Sequence, residues 1–445
     1  MNFISSFIHR RIAHRPNLVK IFHNIGWLFF DKLLRLGVGL LVWVWIARYL
    51  GAEQFGLLNF ALSFVGLFGV FATVGIQSIV VRDIVRNPDC APETLGTAAI
   101  LQLIGGMVAY LLTLIIITYI RPEDSIARTI VAILGSVMLF KASEISVYWF
   151  ESKVLSKYTV WVQNGVFLFF SAVKVLLILQ QVSLIVFAWT MLVEAIVIAI
   201  ILLCLMNIRG PSLTKLHVSL KRAKSLLKDS WPVMLTGGLI AIYIKINQVM
   251  LGQMIGDEAV GIYSVGARFS ESIYFIPVII SISVFPSLLE AKKRSEDEYY
   301  ARLQKLYDLM VVISVGAVLF ITLLSTPIIN LLFDNDYPGA DVVLLIHSWS
   351  SIFIFLAVVS GNWFLTENLQ RLMLIRGIFG CLLNVFLNFI LIPIFSVSGA
   401  ALATLLTHFF VDFLIDLASV KTRKIFLLKL RAFNIIGIYL RNFKT

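Results

Sequence analysis

The sequence is poor in charge, in cysteine and in motifs that carry chemistry. Only 14% of its 445 residues are charged, against about 25% in a soluble domain, which leaves too few to cover a water-facing surface. The three cysteines, Cys90, Cys204 and Cys381, are far apart and follow no metal or redox spacing. There is no HExxH, P-loop or GxSxG motif, and the six histidines are scattered. The sequence therefore predicts no enzyme, no cofactor and no metal site.

Long apolar runs take the place of the missing charge. Hydrophobic residues make up 59% of the chain, and Ala99–Ile120 has no charge at all. A helix of about 20 apolar residues crosses the hydrocarbon core of a membrane. The runs predict twelve spans with almost no length left for a soluble domain, at residues 24–49, 55–81, 94–120, 126–150, 158–179, 182–207, 231–255, 259–289, 306–333, 341–366, 371–394 and 397–420.

Basic residues are unevenly divided between the loops. If the N-terminus is cytoplasmic, most of them fall in inner segments, while the outer loop Asp334–Asp341 is acidic. The positive-inside rule then predicts that both termini are cytoplasmic. The net charge of +12 is mostly this bias and does not indicate a nucleic-acid-binding surface. The basic residues of the N-terminus follow a very short apolar run, which is not the order of a cleaved signal peptide.

This pattern divides the chain into five parts. They are a cytoplasmic amphipathic arm at 1–23, a six-helix bundle at 24–208, a cytoplasmic basic linker at 209–230, a second six-helix bundle at 231–420 and a basic cytoplasmic or interfacial tail at 421–445. Whether 424–444 spans the membrane or lies on it stays open, because the tail mixes basic and large apolar residues as surface-lying helices do.

Two pairs of segments resemble each other across the halves of the chain. LGAEQFGLLNFA at Leu50–Ala61 and IGDEAVGIYSVG at Ile255–Gly266 both contain G-x-E-x-x-G. YWFESKVLSKY at Tyr148–Tyr158 and NWFLTENLQRL at Asn362–Leu372 both contain Trp-Phe, with a basic residue seven positions after the phenylalanine. Six spans separate the members of each pair, and six is even, so both halves have the same orientation. A parallel repeat with a substrate site between the halves is predicted, with a chance match between apolar segments as the alternative.

The segment ARYLGAEQFGLLNFALSFVGLF, at Ala47–Phe68, resembles the first hairpin of bacterial polysaccharide-biosynthesis flippases. These are O-antigen-type translocases of the multidrug/oligosaccharidyl-lipid/polysaccharide flippase superfamily, and the resemblance covers nearly the whole chain. It implies an all-α integral membrane protein with two six-helix bundles around a central lumen that work by alternating access. It also implies a bacterial inner-membrane protein that moves undecaprenyl-diphosphate-linked oligosaccharides from the cytoplasmic to the outer leaflet for O-antigen, lipopolysaccharide or other surface polysaccharide biosynthesis. Membrane lipids, a polysaccharide polymerase and a chain-length regulator are the partners that this resemblance suggests.

Charged residues at membrane depth form the candidate substrate site. Each costs roughly 2.5–3.5 kcal/mol at the centre of the membrane, so one without a structural role indicates function. Arginine donates two parallel hydrogen bonds to a phosphate, and lysine adds a mobile point charge. Acidic neighbours can hold these bases in place while the site is empty. The candidate binding residues are Arg35, Lys141, Lys174, Lys245 and Arg268, supported by Asp31, Glu144, Glu194 and Glu271.

Packing offers another explanation for most of these charges. Lys174 lies near the end of its span and could snorkel to the interface. Lys245 lies near mid-span with no acid one turn away, and it is the hardest to explain by packing. Three pairs have the spacing of ion pairs on one helix face, namely Asp31–Arg35, Lys141–Glu144 and Arg268–Glu271.

Two further sets of residues are candidates for a proton relay and for hinges. His408, Asp412 and Asp416 recur every four residues in the last span, as expected of a proton relay or of the polar inner end of a helix. Four glycines occupy similar places in spans 1 and 7 and are candidate hinges, although glycine also allows close helix crossing. They are Gly37, Gly39, Gly237 and Gly238.

Two other functions stay open. A cation-coupled drug or metabolite antiporter of the same superfamily would favour a less cationic lumen with a protonatable acid, whereas six bases and four acids lie at membrane depth here. A membrane glycan polymerase or ligase would need a large extracytoplasmic loop, and the longest predicted loop on that side has about seven residues. The glycan, the coupling ion and the oligomeric state cannot be read from the sequence.

Overall fold

The protein is helical throughout the part that the computed structural model describes, residues 16–434, and no strand occurs in that range. Polar side chains cap several helices; the Asp124 carboxylate, for example, accepts a hydrogen bond from the backbone N–H of Ala127 at 2.8 Å. The helices are α1 (Pro16–Thr73), α2 (Gln77–Arg86), α3 (Ala91–Ile120), α4 (Ser125–Gly135), α5 (Ile145–Ser152), α6 (Lys157–Leu179), α7 (Leu184–Arg209), α8 (Leu220–Met254), α9 (Asp257–Glu271), α10 (Phe275–Arg294), α11 (Glu296–Phe333), α12 (Ala340–Thr366), α13 (Gln370–Phe395), α14 (Val397–Asp412) and α15 (Arg423–Ala432).

Eleven helical stretches among the described residues are long and apolar enough to cross a membrane. The first of them, Leu34–Arg86, has 53 residues, and a single helix of that length would extend about 80 Å. Gly51 interrupts it with φ 69° and ψ 174°, a conformation that glycine adopts without strain. Divided at Gly51, this stretch provides two crossings. The protein is therefore a multi-pass membrane protein whose described helices fit the twelve predicted spans.

Four of the predicted spans are broken rather than continuous. In span 55–81, the helix ends at Thr73, where Val74 and Gly75 have φ of 54° and 62°. Span 126–150 contains a 3₁₀ segment at Ser136–Glu144, and span 259–289 is interrupted between α9 and α10. In span 397–420, α14 ends at Asp412. The apolar pattern did not show these breaks, because each of them falls inside one predicted span that is apolar over most of its length.

The described chain forms two compact units. The first contains the residues up to Tyr49 together with Phe64–Gly238, and the second contains Leu50–Ser63 together with the residues from Leu239 onward. Each has its own apolar core: Val80, Ile84 and Leu95 are buried in the first, and Tyr307 and Phe355 in the second. The contacts thus group residues 50–63 with the second unit, although they lie within the predicted first bundle. The predicted bundle and linker boundaries stay a prediction.

The two G-x-E-x-x-G segments form a reciprocal contact within the second unit. A methyl group added to Gly56 would lie 1.7 Å from the carbonyl oxygen of Asp257, and one added to Gly261 would lie 2.1 Å from that of Ala52. Gly56 and Gly261 are 205 residues apart, as are Ala52 and Asp257. Each segment therefore contacts the other through equivalent residues, which is the pattern of a two-fold axis.

The other pair of matching segments forms one turn twice. Val154 and Asn368 have φ of 57° and 56°. In both turns the tryptophan carbonyl accepts the N–H four residues later, at 3.3 and 2.9 Å, and the phenylalanine carbonyl accepts the N–H five residues later, at 2.8 Å. The match thus extends from residue identity to backbone conformation and hydrogen bonding. The predicted all-α membrane fold with a parallel internal repeat is confirmed.

Candidate functional site

Lys245 and Arg268 lie near mid-depth in two helices of the second unit that are hydrogen-bonded to each other. Lys245 precedes the turn after α8 by ten residues, which is about 15 Å of helix, and Arg268 follows the start of α9 by eleven, which is about 17 Å. Because the hydrocarbon core is about 30 Å thick, both cations lie near its centre. The Asn247 amide donates to the Tyr263 hydroxyl at 2.8 Å and joins the two helices at this level.

Glu271, at the end of α9, lies within electrostatic range of both cations. Glu271 and Lys245 are half-buried, whereas Arg268 is exposed on the surface of the second unit. An arginine exposed at this depth is stable only where water or anionic groups replace lipid. The helical spacing predicted that Arg268 and Glu271 lie close together, and the structure places Lys245 within electrostatic range of the same carboxylate.

A hydrogen-bonded network fixes the segment that carries Glu271. The hydroxyl of Ser270 and Nδ1 of His347 are 2.7 Å apart, and the hydroxyls of Tyr274 and Ser350 are 3.3 Å apart. His347 is buried. Both bonds join this region to α12, so residues before and after Glu271 in the sequence are held against that helix. The sequence reading did not single out His347, because a lone histidine in an apolar span has no motif around it.

A second network, made of amides and hydroxyls, holds α8 beside Lys245. The amide nitrogen of Asn247 also donates to the Thr404 hydroxyl at 2.6 Å. The amide nitrogen of Asn388 donates to Oδ1 of Asn247 at 2.8 Å. These residues are buried, and they lie on three helices, α8, α13 and α14. The network places Lys245 on a rigid element, which favours a binding role over a flexible surface role.

In the first unit, two of the predicted bases have carboxylate partners. Nζ of Lys141 lies 2.7 Å from Oε1 of Glu144. Nζ of Lys174 lies 2.7 Å from Oε2 of Glu194, with the side chains only 13% and 16% exposed. Lys174 therefore joins α6 to α7 and does not extend to the interface. A role in substrate binding for these four residues stays a prediction.

Arg35 lies on the first half of α1. Its guanidinium is 5.2 Å from the centre of the Phe167 ring on α6, within the range of a cation–π contact. Asp31 lies on the same helix, but its side chain falls outside the described part of the structure. The predicted Asp31–Arg35 pair thus stays a prediction, as does the part of Arg35 in substrate binding.

Two members of the predicted relay are hydrogen-bonded, since Nδ1 of His408 lies 2.7 Å from Oδ2 of Asp412. The Tyr243 ring meets His408 edge-on, with centroids 4.9 Å apart. Tyr243 and Asp412 line a cavity of about 310 Å³, together with Arg376 and Phe364. The hydroxyl of Tyr243 has no hydrogen-bond partner among the described residues. Asp412 therefore borders a space large enough for water, which a relay needs, and the relay itself stays a prediction.

Asp416 does not continue this pair along the helix. Because α14 ends at Asp412, the four-residue register is lost, and Asp416 instead binds two cations. Its carboxylate lies 2.7 Å from the Arg376 guanidinium and 2.8 Å from Nζ of Lys429 on α15. Asp416 and Lys429 are fully buried, and burial lowers the pKa of Lys429 while Asp416 opposes that shift. The sequence reading missed Arg376 and Lys429, which lie 40 and 13 residues from Asp416 and on different helices.

Removing Asp416 is expected to destabilise the protein strongly. Asp416→Ala leaves the buried Lys429 and the largely buried Arg376 without their carboxylate, which costs about 3–5 kcal/mol. Thermal unfolding in detergent measures the loss. Glu298→Gln is the control: Glu298 pairs with Arg302 at 2.6 Å on the surface, and exposed pairs contribute about 0–1 kcal/mol. Equal losses in the two variants would contradict a stabilising role for the buried cluster.

The four candidate hinge glycines lie within continuous helices. No atom lies within 4 Å of a methyl group added at Gly37, and the nearest atom at Gly39 is 3.6 Å away, on Phe167. At Gly237 and Gly238 the nearest atoms belong to Val70, at 3.3 and 3.5 Å. Gly237 and Gly238 thus allow close packing against α1. A hinge role for the four glycines stays a prediction, and the backbone breaks described above fall elsewhere.

Membrane helices arranged as an internal repeat are typical of the fold of a membrane transporter. The chain superposes on a multidrug resistance MATE family transporter of the MOP superfamily, in an inward-facing conformation, with a TM-score of 0.70 at 14% identity, covering 92% of this chain and 99% of that one. It superposes on the lipid II flippase MurJ, in an inward closed conformation, with a TM-score of 0.68 at 16% identity, covering 95% and 93%. At these identities the likeness establishes the fold.

The family follows from the sequence. Residues 21–292 match the family described as polysaccharide biosynthesis protein, and residues 232–390 match the MatE family. The first match covers more than half of the 445 residues. The chain therefore belongs to the polysaccharide biosynthesis protein family, and the resemblance predicted from its first hairpin is confirmed.

Two relatives extend over most of the chain. The capsular polysaccharide biosynthesis protein CapF of Staphylococcus aureus is 21% identical over 397 residues, which cover 87% of this chain and 96% of CapF. The probable low-salt glycan biosynthesis flippase Agl15 of Haloferax volcanii is 21% identical over 400 residues, covering 85% and 79%. The similarity to both thus includes both halves of the repeat.

Proposed function

We propose that the protein is a flippase that moves oligosaccharides linked to undecaprenyl diphosphate from the cytoplasmic to the outer leaflet, for surface polysaccharide or O-antigen biosynthesis. Family membership supports this function, as do a relative named as a glycan biosynthesis flippase and a fold shared with a lipid II flippase. The protein would work by alternating access to the two sides of the membrane. The chain would act as a transporter and not as an enzyme.

The observation that carries the proposal is that Lys245 and Arg268 both lie near mid-depth and within electrostatic range of Glu271. A diphosphate must lose most of its hydration to cross the membrane, and fixed cations replace that hydration. Arg268 suits a phosphate because its planar fork donates two parallel hydrogen bonds, and Lys245 adds a compact charge. Glu271 would hold both cations while the site is empty and release them to the diphosphate. Arg35 is a further proposed binding residue.

Transport measured with purified protein tests this function. Proteoliposomes would contain a fluorescent lipid-linked oligosaccharide, and a membrane-impermeant reagent would report how much of it has changed leaflet. We expect flipping that depends on the protein and that rises with an inside-negative potential, because two negative charges moving outward gain roughly 2.3 kcal/mol each per 100 mV. A protein that is inserted and folded but leaves the lipid in its original leaflet would contradict the proposal.

The match of residues 232–390 to the MatE family favours one alternative, a cation-coupled antiporter of drugs or metabolites. The hydrogen-bonded pair of His408 and Asp412 beside a cavity would then carry the coupling proton. Efflux of a drug driven by a pH gradient, without flipping of the lipid, would support this alternative. Loss of efflux in His408→Gln would identify the pair as its proton carrier.

The same proposal places the protein in a bacterial cytoplasmic membrane with both termini in the cytoplasm. The support is the concentration of basic residues in the predicted inner segments. A polysaccharide polymerase and a chain-length regulator are proposed partners, because the transported oligosaccharide is the unit that a polymerase would consume. Cross-linking in cells that produce the polysaccharide would test these partners.

A further inference from the structure

A basic cleft lies between the start of α11 and the last described helix, α15. It has a volume of about 520 Å³, within the range of about 300–1,000 Å³ that is typical of small-molecule sites. Three of its lining residues are cations, and all three are exposed; they are Lys305, Lys424 and Arg431. Like charges around one cleft repel each other, so the cleft is complementary to an anion.

The cleft lies at the level of the membrane surface. With 38 residues, α11 is about 57 Å long, roughly twice the thickness of the hydrocarbon core. Its first twelve residues contain five charges, whereas the remaining 26 contain only Asp308. The apolar part therefore occupies the membrane, and Tyr300 to Lys305 lie within about two turns of its boundary. Phospholipid headgroups occupy this level.

The walls of the cleft are held in place. Lys429 anchors α15 through its ion pair with Asp416, and Leu428 packs into the core of the second unit. The amide nitrogen of Gln304 donates to the Leu428 carbonyl at 3.0 Å, which joins α11 to α15. Nζ of Lys424 lies 3.2 Å from the centre of the Tyr300 ring. The cleft is thus a built site and not a chance approach of mobile side chains.

Gln304 offers a further polar contact. It lines the cleft and is only 7% exposed. Its carbonyl oxygen, Oε1, has no hydrogen-bond partner among the described residues. A buried acceptor without a partner costs about 1–3 kcal/mol. A hydroxyl group on a ligand would satisfy it, whereas a bare phosphate, which presents acceptors, would not.

We propose that this cleft binds the headgroup of an anionic phospholipid, with a phosphodiester among the three cations and a headgroup hydroxyl donating to Gln304. Leu427, which is 49% exposed, provides apolar surface beside the cleft for the start of an acyl chain. Basic pockets beside membrane helices are known to bind such headgroups. The site is separate from Lys245 and Arg268, and the proposal does not depend on the proposed function.

Binding of defined lipids to the purified full-length protein tests the proposal. The protein would be exchanged into detergent with phosphatidylglycerol or phosphatidylcholine, and retained lipid would be counted by native mass spectrometry. We expect phosphatidylglycerol to bind at least about tenfold more tightly. One basic residue near a membrane surface contributes roughly a fivefold change in affinity, so the triple variant Lys305→Ala, Lys424→Ala, Arg431→Ala should lose about a hundredfold.

A control variant removes three equivalent charges elsewhere, in Lys221→Ala, Lys224→Ala, Lys228→Ala. These lysines are exposed on the surface-lying start of α8, and this variant should retain the lipid. Equal losses in both variants would show a general effect of charge and would overturn the proposal. Gln304→Leu should reduce the preference for phosphatidylglycerol over phosphatidic acid, which lacks the headgroup hydroxyls. An unchanged preference would overturn the assigned contact.

Three further experiments distinguish an anionic phospholipid from other possible occupants of the cleft. Soluble glycerophosphate at millimolar concentration should not displace the bound lipid, because it lacks acyl chains; displacement would show a site for a free phosphate ester. Undecaprenyl phosphate should not compete tenfold better than phosphatidylglycerol; if it does, the cleft belongs to the transported lipid. A chain that ends at Asn434 should bind phosphatidylglycerol as the full chain does. Binding that appears only in this shortened chain would show that residues 435–445 cover the cleft.

Discussion

Lys245→Ala is expected to reduce flipping about 10- to 100-fold while the protein still inserts and folds. A hydrogen bond to a charged group contributes about 1.5–3 kcal/mol, and that contribution is lost at the point where the diphosphate has least water. Lys245→Arg should keep substantial activity because the charge remains, whereas Lys245→Glu should be inactive. Arg268→Ala should resemble Lys245→Ala, and Arg268→Lys should be only partly active because the bidentate fork is lost. The initial rate of flipping in proteoliposomes measures each effect.

Lys293→Ala is the matched control for these variants. Lys293 is an exposed lysine of the same unit, at the end of α10, and its removal changes the net charge equally. It should leave the rate within about a factor of two, since a surface charge contributes little to an interaction at mid-depth. If Lys245→Ala and Arg268→Ala flipped the lipid as fast as Lys293→Ala, the two cations would serve packing alone and the diphosphate site would lie elsewhere.

The sequence was sufficient to predict features that depend on neighbouring residues. The apolar runs located the helices, and the two matched segments located the repeat that Val154 and Asn368 show in their backbone. Lys141 and Glu144 are three residues apart, so their ion pair was also within reach of a spacing argument.

The remaining features depend on contacts between distant parts of the chain. Lys174 and Glu194 are 20 residues apart and lie on different helices, so no helical spacing relates them. The pairing of Arg376 with Asp416 spans 40 residues, and Lys429 becomes buried only when α15 docks on the second unit. Helix breaks such as that at Val74 were also beyond the sequence, because apolar composition does not change there.

The segments around Gly51 and Gly256 show why the same short motif occurs twice. Both glycines have positive φ, 69° and 129°, with ψ near 175°, and each lies between two membrane helices. Five residues after each of these turns lie Gly56 and Gly261. Because they have no side chain, the two backbones approach each other more closely than a methyl group would allow. The motif therefore combines a turn with a close contact, and its recurrence allows the two copies to contact each other reciprocally.

Among the glycines that the structure describes, Gly56 and Gly261 are expected to be the most sensitive to replacement by alanine. The added carbon would lie 1.7 Å from a backbone oxygen at Gly56 and 2.1 Å at Gly261. No rotation of a side chain can relieve a clash with backbone, so the two segments must separate. Overpacking of this kind costs about 1–3 kcal/mol, and occasionally more. Thermal unfolding in detergent should show the loss, and flipping should fall because the reciprocal contact no longer forms.

Gly165→Ala adds the same methyl group where nothing lies within 4 Å. Gly165 is within α6 and is exposed, so alanine should stabilise the protein by up to about 1 kcal/mol through its higher helix propensity. Replacing glycine with alanine is therefore expected to destabilise the protein at Gly56 and Gly261 and to stabilise it at Gly165. The double variant Gly56→Ala, Gly261→Ala should lose less than the sum of the single losses, because the first change already separates the segments. Stability unchanged in both single variants would show that the close approach contributes nothing to the fold.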